Sequence, residues 1–77
     1  MTVHITIKLF ATLSQFTPDS PDRYPIESGT TIRSLLKLIG VSEDEIKLIF
    51  INGIKGNLTS PLNDGDRVGI FPPIGGG

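Results

Sequence analysis

Arg67-Val68-Gly69-Ile70-Phe71-Pro72-Pro73-Ile74-Gly75-Gly76-Gly77 is the stretch that decides the fold of this 77-residue chain. Its first five residues read as a strand, with Val68 and Ile70 on one parity and Gly69 and Phe71 on the other. Pro72-Pro73 stops that strand, because proline fixes φ and has no N–H, and launches a stiff extended exit. The final three positions are almost bare main chain. Lacking Cβ atoms, they can enter a channel too narrow for side chains and present the terminal carboxylate inside another protein. Residues 72–77 together reach on the order of 20 Å, at roughly 3.3 Å per extended residue. No Ser-rich linker separates strand from tail, so the tail is expected to be held rigidly at its base. The division expected is a folded domain over 1–71 and an extended tail over 72–77.

Working upstream, Leu62-Asn63-Asp64-Gly65-Asp66 reads as a tight turn that feeds the last strand, with its acids bonding local amides. Leu48-Ile49-Phe50-Ile51 is apolar on both parities and runs into Asn52-Gly53, the residues of a type I′ turn, with a small hairpin arm at Ile54-Lys55. One helix covers only one face of a sheet this small. The second apolar face is therefore expected to meet a partner, with Phe71, Ile49, Phe50 and Ile51 as the docking patch.

Ile32, Leu35, Leu36 and Ile39 fall at i, i+3, i+4 and i+7, an apolar helical stripe with Arg33, Ser34 and Lys37 facing away. Thr31 is the expected N-cap and Gly40 the C-terminal stop. Ser42-Glu43-Asp44-Glu45 matches a capping box, so a short helix is expected there, its carboxylates near the positive end of the dipole.

Val3, Ile5, Ile7 and Leu9 alternate with His4, Thr6 and Lys8, a half-buried first strand with His4 on the exposed parity. Phe10 to Ser14 reads as a turn or short helical segment, and Thr17 to Asp22 as a surface loop. Arg23 to Glu27 reads as a short second strand, which Pro25 places at a sheet edge or at a position whose N–H is not needed. The order β, β, α, short α, β, β, with the last strand beside the first, gives an α+β β-grasp: a mixed sheet of four to five strands with one main helix on one face.

Composition narrows the function classes. A domain of this length buries only about 60% of its unfolded surface and has no room for a deep cleft. The net charge is −1 and the seven Lys and Arg are scattered, so a nucleic-acid footprint is missing. Zero cysteines remove disulfides, thiolate metal sites, iron–sulfur ligation and thiol nucleophiles, and with one histidine no metal site is expected. No apolar run approaches the roughly eighteen residues of a membrane span, and the N-terminus lacks a signal-peptide layout. Cytoplasm is the expected location.

Leu9-Phe10-Ala11, Gly29-Thr30-Thr31-Ile32 with Leu35-Leu36, Ile51-Asn52-Gly53, and above all Leu62 to Val68 leading to Phe71-Pro72-Pro73-Ile74-Gly75-Gly76-Gly77 resemble the ubiquitin-like sulfur carriers. The likeness is greatest to the small subunit of molybdopterin synthase. Gly75 then takes the small position that precedes the diglycine Gly76-Gly77. Thr17 to Asp22 departs from relatives that continue a longer helix there.

That resemblance implies a carrier and not an enzyme. An ATP-dependent activating enzyme would adenylate the Gly77 carboxylate, sulfur would displace AMP, and the resulting thiocarboxylate would give its sulfur to a pterin precursor in the large synthase subunit. ATP belongs to the activating enzyme, and the chain itself needs no cofactor. Gly77 is the reactive site, Gly76 and Gly75 give the steric freedom to enter the partner's channel, Ile74 belongs to the tail before them, and Pro72-Pro73 set the exit direction. The diglycine is shared with the thiazole-forming carrier of thiamine synthesis, which usually lacks the prolines, and with protein modifiers that form isopeptide bonds. Those alternatives stay open on the sequence.

Overall fold

Alternation of apolar and polar residues makes Thr2–Leu9 a strand (β1) whose Ile5, Ile7 and Leu9 are buried. The computed structural model describes residues 1–73. After a single 3₁₀ segment over Ala11–Phe16 come β2 (Tyr24–Glu27), α1 (Ile32–Ile39), a 3₁₀ turn (Glu43–Glu45), β3 (Leu48–Ile51), β4 (Ile54–Lys55) and β5 (Arg67–Phe71). The strands lie in the order β2-β1-β5-β3-β4. β5 runs parallel to β1 and antiparallel to β3, so the last strand is central and beside the first, as the sequence predicts. This is a ubiquitin-like β-grasp.

The caps explain where α1 begins and ends. Thr31 is extended and its Oγ1 accepts the Ser34 N–H at 3.3 Å, satisfying a donor that the first helical turn leaves unpaired. Gly40 stops the helix with φ +82°, a conformation that costs an L-residue about 1–2 kcal/mol. The stripe of Ile32, Leu35 and Leu36 is fully buried against Ile5, Ile7, Ile26, Ile49, Val68 and Ile70 of the sheet, with Leu13 and Leu62 closing the core. Arg33, Ser34 and Lys37 are exposed.

Asn52 at φ +55° and Gly53 at φ +80° make the expected I′ connection between β3 and β4. Pro25 occupies the edge strand for a specific reason. The Ser28 N–H donates to the Met1 carbonyl, so bonded pairs alternate from there and His4–Pro25 is a non-bonded pair. The missing N–H of Pro25 therefore points away from the sheet, and the edge is blunted against further pairing.

Two local expectations change. The short helix at residues 42–45 is only one 3₁₀ turn, because the chain must become extended at Ile46 to enter β3. Ser42 Oγ caps the Asp44 N–H and not the Glu45 N–H, while Glu43 pairs with Arg33 at 3.2 Å. The segment after β1 also differs. Phe10 is extended, and helical bonding begins at Ala11 and runs to Phe16.

Candidate functional site

Register decides which side chains surround the base of the tail. In the β3–β5 ladder Ile49 faces Ile70 and Ile51 faces Val68, whereas Leu48 faces Phe71 and Phe50 faces Gly69. Neighbours across a ladder share a face, so Ile49 and Ile51 point toward α1. Ile49 is only 6% exposed and belongs to the core, and Ile51 packs on it. The expected docking patch thus loses Ile49 and Ile51. Phe50, Leu48 and Phe71 occupy the outer face, each half-buried.

Phe10 joins them, although the sequence reading assigned it no role there. Its ring stacks on Phe71 with centroids 4.2 Å apart and planes 2° apart, and Phe71 in turn meets Phe50 edge-on at 5.8 Å. The first is a close parallel stack, and the second is the T-shaped geometry that the ring quadrupole favours. Phe10 remains 38% exposed at the top of the pile. Placing it there requires the chain to turn sharply, and Ala11 does so at φ +53°, an unusual conformation for a residue with a Cβ. An aromatic next to a positive-φ residue just past a strand end was the available sign, but φ cannot be read from an alanine.

The root of the tail is tied down from both sides. The Ile70 carbonyl accepts the Phe10 N–H at 3.1 Å, and the Phe71 carbonyl accepts the Lys47 N–H at 2.8 Å. β5 ends at Phe71, after which Pro72 is buried and Pro73 exposed. Ile74, Gly75, Gly76 and Gly77, including the expected reactive carboxylate, lie outside the described residues.

The turn before β5 fixes the strand's other end. Asp66, 9% exposed, accepts the Asn63 N–H at 2.8 Å and Asn52 Nδ2 at 2.9 Å, while Asn52 Oδ1 accepts the Arg67 N–H at 2.9 Å. One asparagine thus serves both the β3–β4 turn and the start of β5. Asp64 Oδ1 accepts the His4 N–H at 2.9 Å, and His4 is half-buried on the outer face. A hollow of about 430 Å³ lies elsewhere, beside β2 and α1 between Phe16, Tyr24, Pro25 and Leu38. It has no contact with the root of the tail.

β5 is pinned at both ends, carries an aromatic pile on its outward side and runs into Pro72-Pro73, and the ThiS family model matches residues 7–77. The chain belongs to the ThiS family. Among solved structures, a Pyrococcus furiosus protein described as a candidate molybdopterin converting factor subunit 1 is similar over 94% of this chain and 99% of its own, at 28% identity and TM-score 0.65. Small archaeal modifier protein 1 of Haloferax volcanii is similar over 94% and 99%, at 21% identity and TM-score 0.68. A complex of subunits 1 and 2 of molybdopterin-converting factor from Helicobacter pylori contains a similar chain, covered fully on both sides, at 24% identity and TM-score 0.53. Comparison with curated protein sequences gives no significant match. The ThiS-family fold is that of a small ubiquitin-like sulfur carrier or modifier. Among the described residues no helix is long and apolar enough to cross a membrane.

Proposed function

We propose that this chain is a sulfur carrier worked at its own C-terminus, and that it serves as the small subunit of molybdopterin synthase. The observation that carries the reading is β5: its last two carbonyls are held by Phe10 and Lys47, and it leads through Pro72-Pro73 to Gly75-Gly76-Gly77. A carboxylate resists nucleophilic attack until its oxygen is made a good leaving group. The Gly77 carboxylate attacks the α-phosphate of ATP held by an activating enzyme, pyrophosphate leaves, and an acyl-adenylate results. A hydrosulfide-equivalent nucleophile then adds to the carbonyl and AMP departs, leaving a thiocarboxylate. Carried to the large subunit, its sulfur attacks a carbon of a pterin precursor and displaces an oxygen leaving group, and water then cleaves the acyl–sulfur bond, so that the sulfur stays on the pterin and the Gly77 carboxylate returns.

No side chain of this protein acts as acid or base in that sequence. Its work is positional: Phe71, Phe50 and Phe10 seat the partner, the prolines aim the tail, and the glycines pass where a Cβ would not. The subunit complex of the similar Helicobacter pylori protein supports the choice of a large-subunit partner. The test is intact mass after incubation with an activating enzyme, ATP and a sulfur donor. Replacement of one oxygen by sulfur, abolished by removing Gly76-Gly77, is the expected result.

Likeness to a small archaeal modifier favours a second reading, in which a lysine amine attacks the same adenylated Gly77 and forms an isopeptide bond. Higher-mass conjugates on a denaturing gel, with no sulfur-containing species, would establish that one.

A further inference from the structure

The centre of the outer sheet face is occupied by a residue without a side chain. Across the ladders, the row through Gly69 runs Lys8, Gly69, Phe50, Lys55, and Arg67 precedes Gly69 on the same strand and the same face. Glycine weakens a strand interior, and where it persists it marks a bulge or a close approach by another molecule. Nothing in the fold demands it here. Its backbone has no left-handed φ, and a Cβ would meet Phe10 Cε2 at 3.6 Å and Phe71 Cε1 at 3.9 Å, ordinary van der Waals contact.

What the missing side chain leaves is a hollow of about 200 Å³ lined by Lys8, Phe10, Arg67 and Gly69, with Thr6 at its far side. Its charge is one-sided. Lys8, Arg67 and Lys55 are exposed and have no ion-pair partner among the described residues. Among strand positions that look outward, the one carboxylate is Glu27 of β2, at the far corner and 3.4 Å from the Met1 amine. A chain with net charge −1 has thus gathered cations around its apolar docking face.

We propose that the Gly69 hollow is a socket for an aspartate or glutamate side chain of the activating enzyme, whose carboxylate pairs with Lys8 and Arg67 while its stem lies against Phe10. The proposal rests on the carrier reading above and names how the partner is recognised. Charge complementarity selects the occupant: a desolvated carboxylate needs cationic donors, and two stand at the rim of a space sized for one side chain. Long-range attraction also steers encounter, so recognition should weaken with salt.

The test is the dependence of ATP–pyrophosphate exchange by the activating enzyme of the same cell on the concentration of the full-length chain. Gly69→Thr fills the socket with a residue suited to strands, and Lys8→Glu and Arg67→Glu reverse its rim without touching the core. Each should raise KM at least tenfold with kcat within twofold, whereas Lys37→Glu on the helical side should leave both unchanged. Added salt should raise the wild-type KM several-fold and affect Arg67→Glu less. Exchange that is indifferent to all three socket variants overturns the socket and leaves the carrier reading intact. No exchange with the wild-type chain overturns both. Altered self-association in sedimentation, with KM unchanged, would give the socket to a second copy and also overturn the proposal.

Discussion

Truncating Phe10 and Phe71 singly and together separates the two things the aromatic pile does, bracing the sheet and receiving a partner. Phe71 makes two ring contacts, at 4.2 Å to Phe10 and 5.8 Å to Phe50, and Phe10 makes only the first. Each such pair contributes about 0.5–1.5 kcal/mol beyond its buried area. From the ring contacts alone, over and above the apolar area each truncation strips, Phe71→Ala should therefore lose about 1–3 kcal/mol and Phe10→Ala about 0.5–1.5 kcal/mol. In a domain this size each kcal/mol lowers Tm by roughly 4–8 °C. The double variant should cost less than the sum of the single ones, by about 0.5–1.5 kcal/mol, because the shared stack can be lost only once. Urea denaturation with a common m-value gives all four stabilities, and titration of the large synthase subunit gives the four affinities. Phe10→Ala, at the exposed end of the pile, should lose proportionally more affinity than stability. A coupling indistinguishable from zero would refute the stack as an energetic unit. Undiminished affinity in the double variant would remove the aromatic pile from the docking face.

Three other outcomes are expected. Gly76→Val should abolish adenylation in an AMP-forming assay while leaving Tm unchanged, since the added branch obstructs a channel too narrow for side chains; normal activation would refute the channel argument. Asp66→Ala should destabilise by about 2–4 kcal/mol, because Asn63 N–H and Asn52 Nδ2 both lose a charged acceptor, and chemical denaturation reads it directly. Thr31→Ala removes the α1 cap and should cost about 1 kcal/mol, whereas Thr31→Ser should restore most of it in the same measurement.

Much of the fold follows from patterns that are local. Period two across Val3 to Leu9, the 3.6-residue stripe of α1 with Thr31 and Gly40 at its ends, the Asn52-Gly53 turn and the edge position of Pro25 all depend on residues within one or two turns of chain. The β-grasp assembles from them because the elements agree with one another. The C-terminal glycines are also legible as chemistry, since what a Cβ-free main chain permits needs no tertiary context.

The docking face was legible only in part, and the reason lies in Leu48 to Ile51. A run apolar on both parities carries no period, so the sequence names four candidates and cannot say which two look outward. Pairing of β3 with β5 settles it, sending Ile49 into the core and Ile51 against it, and leaving Phe50 beside Phe71. Phe10 presents the same difficulty at longer range. It lies outside every strand, and its stack on Phe71 spans sixty-one residues of sequence.

By itself, then, the chain order specifies a half-buried sheet, one capped helix and a Pro-Pro stop followed by glycines, because each is encoded in short-range periodicity or in the absence of side chains. Only tertiary structure brings Lys8, Arg67, Lys55 and Gly69 onto one face with three phenylalanines, because that gathering is made by register between strands distant in sequence, and register is a property of the assembled sheet.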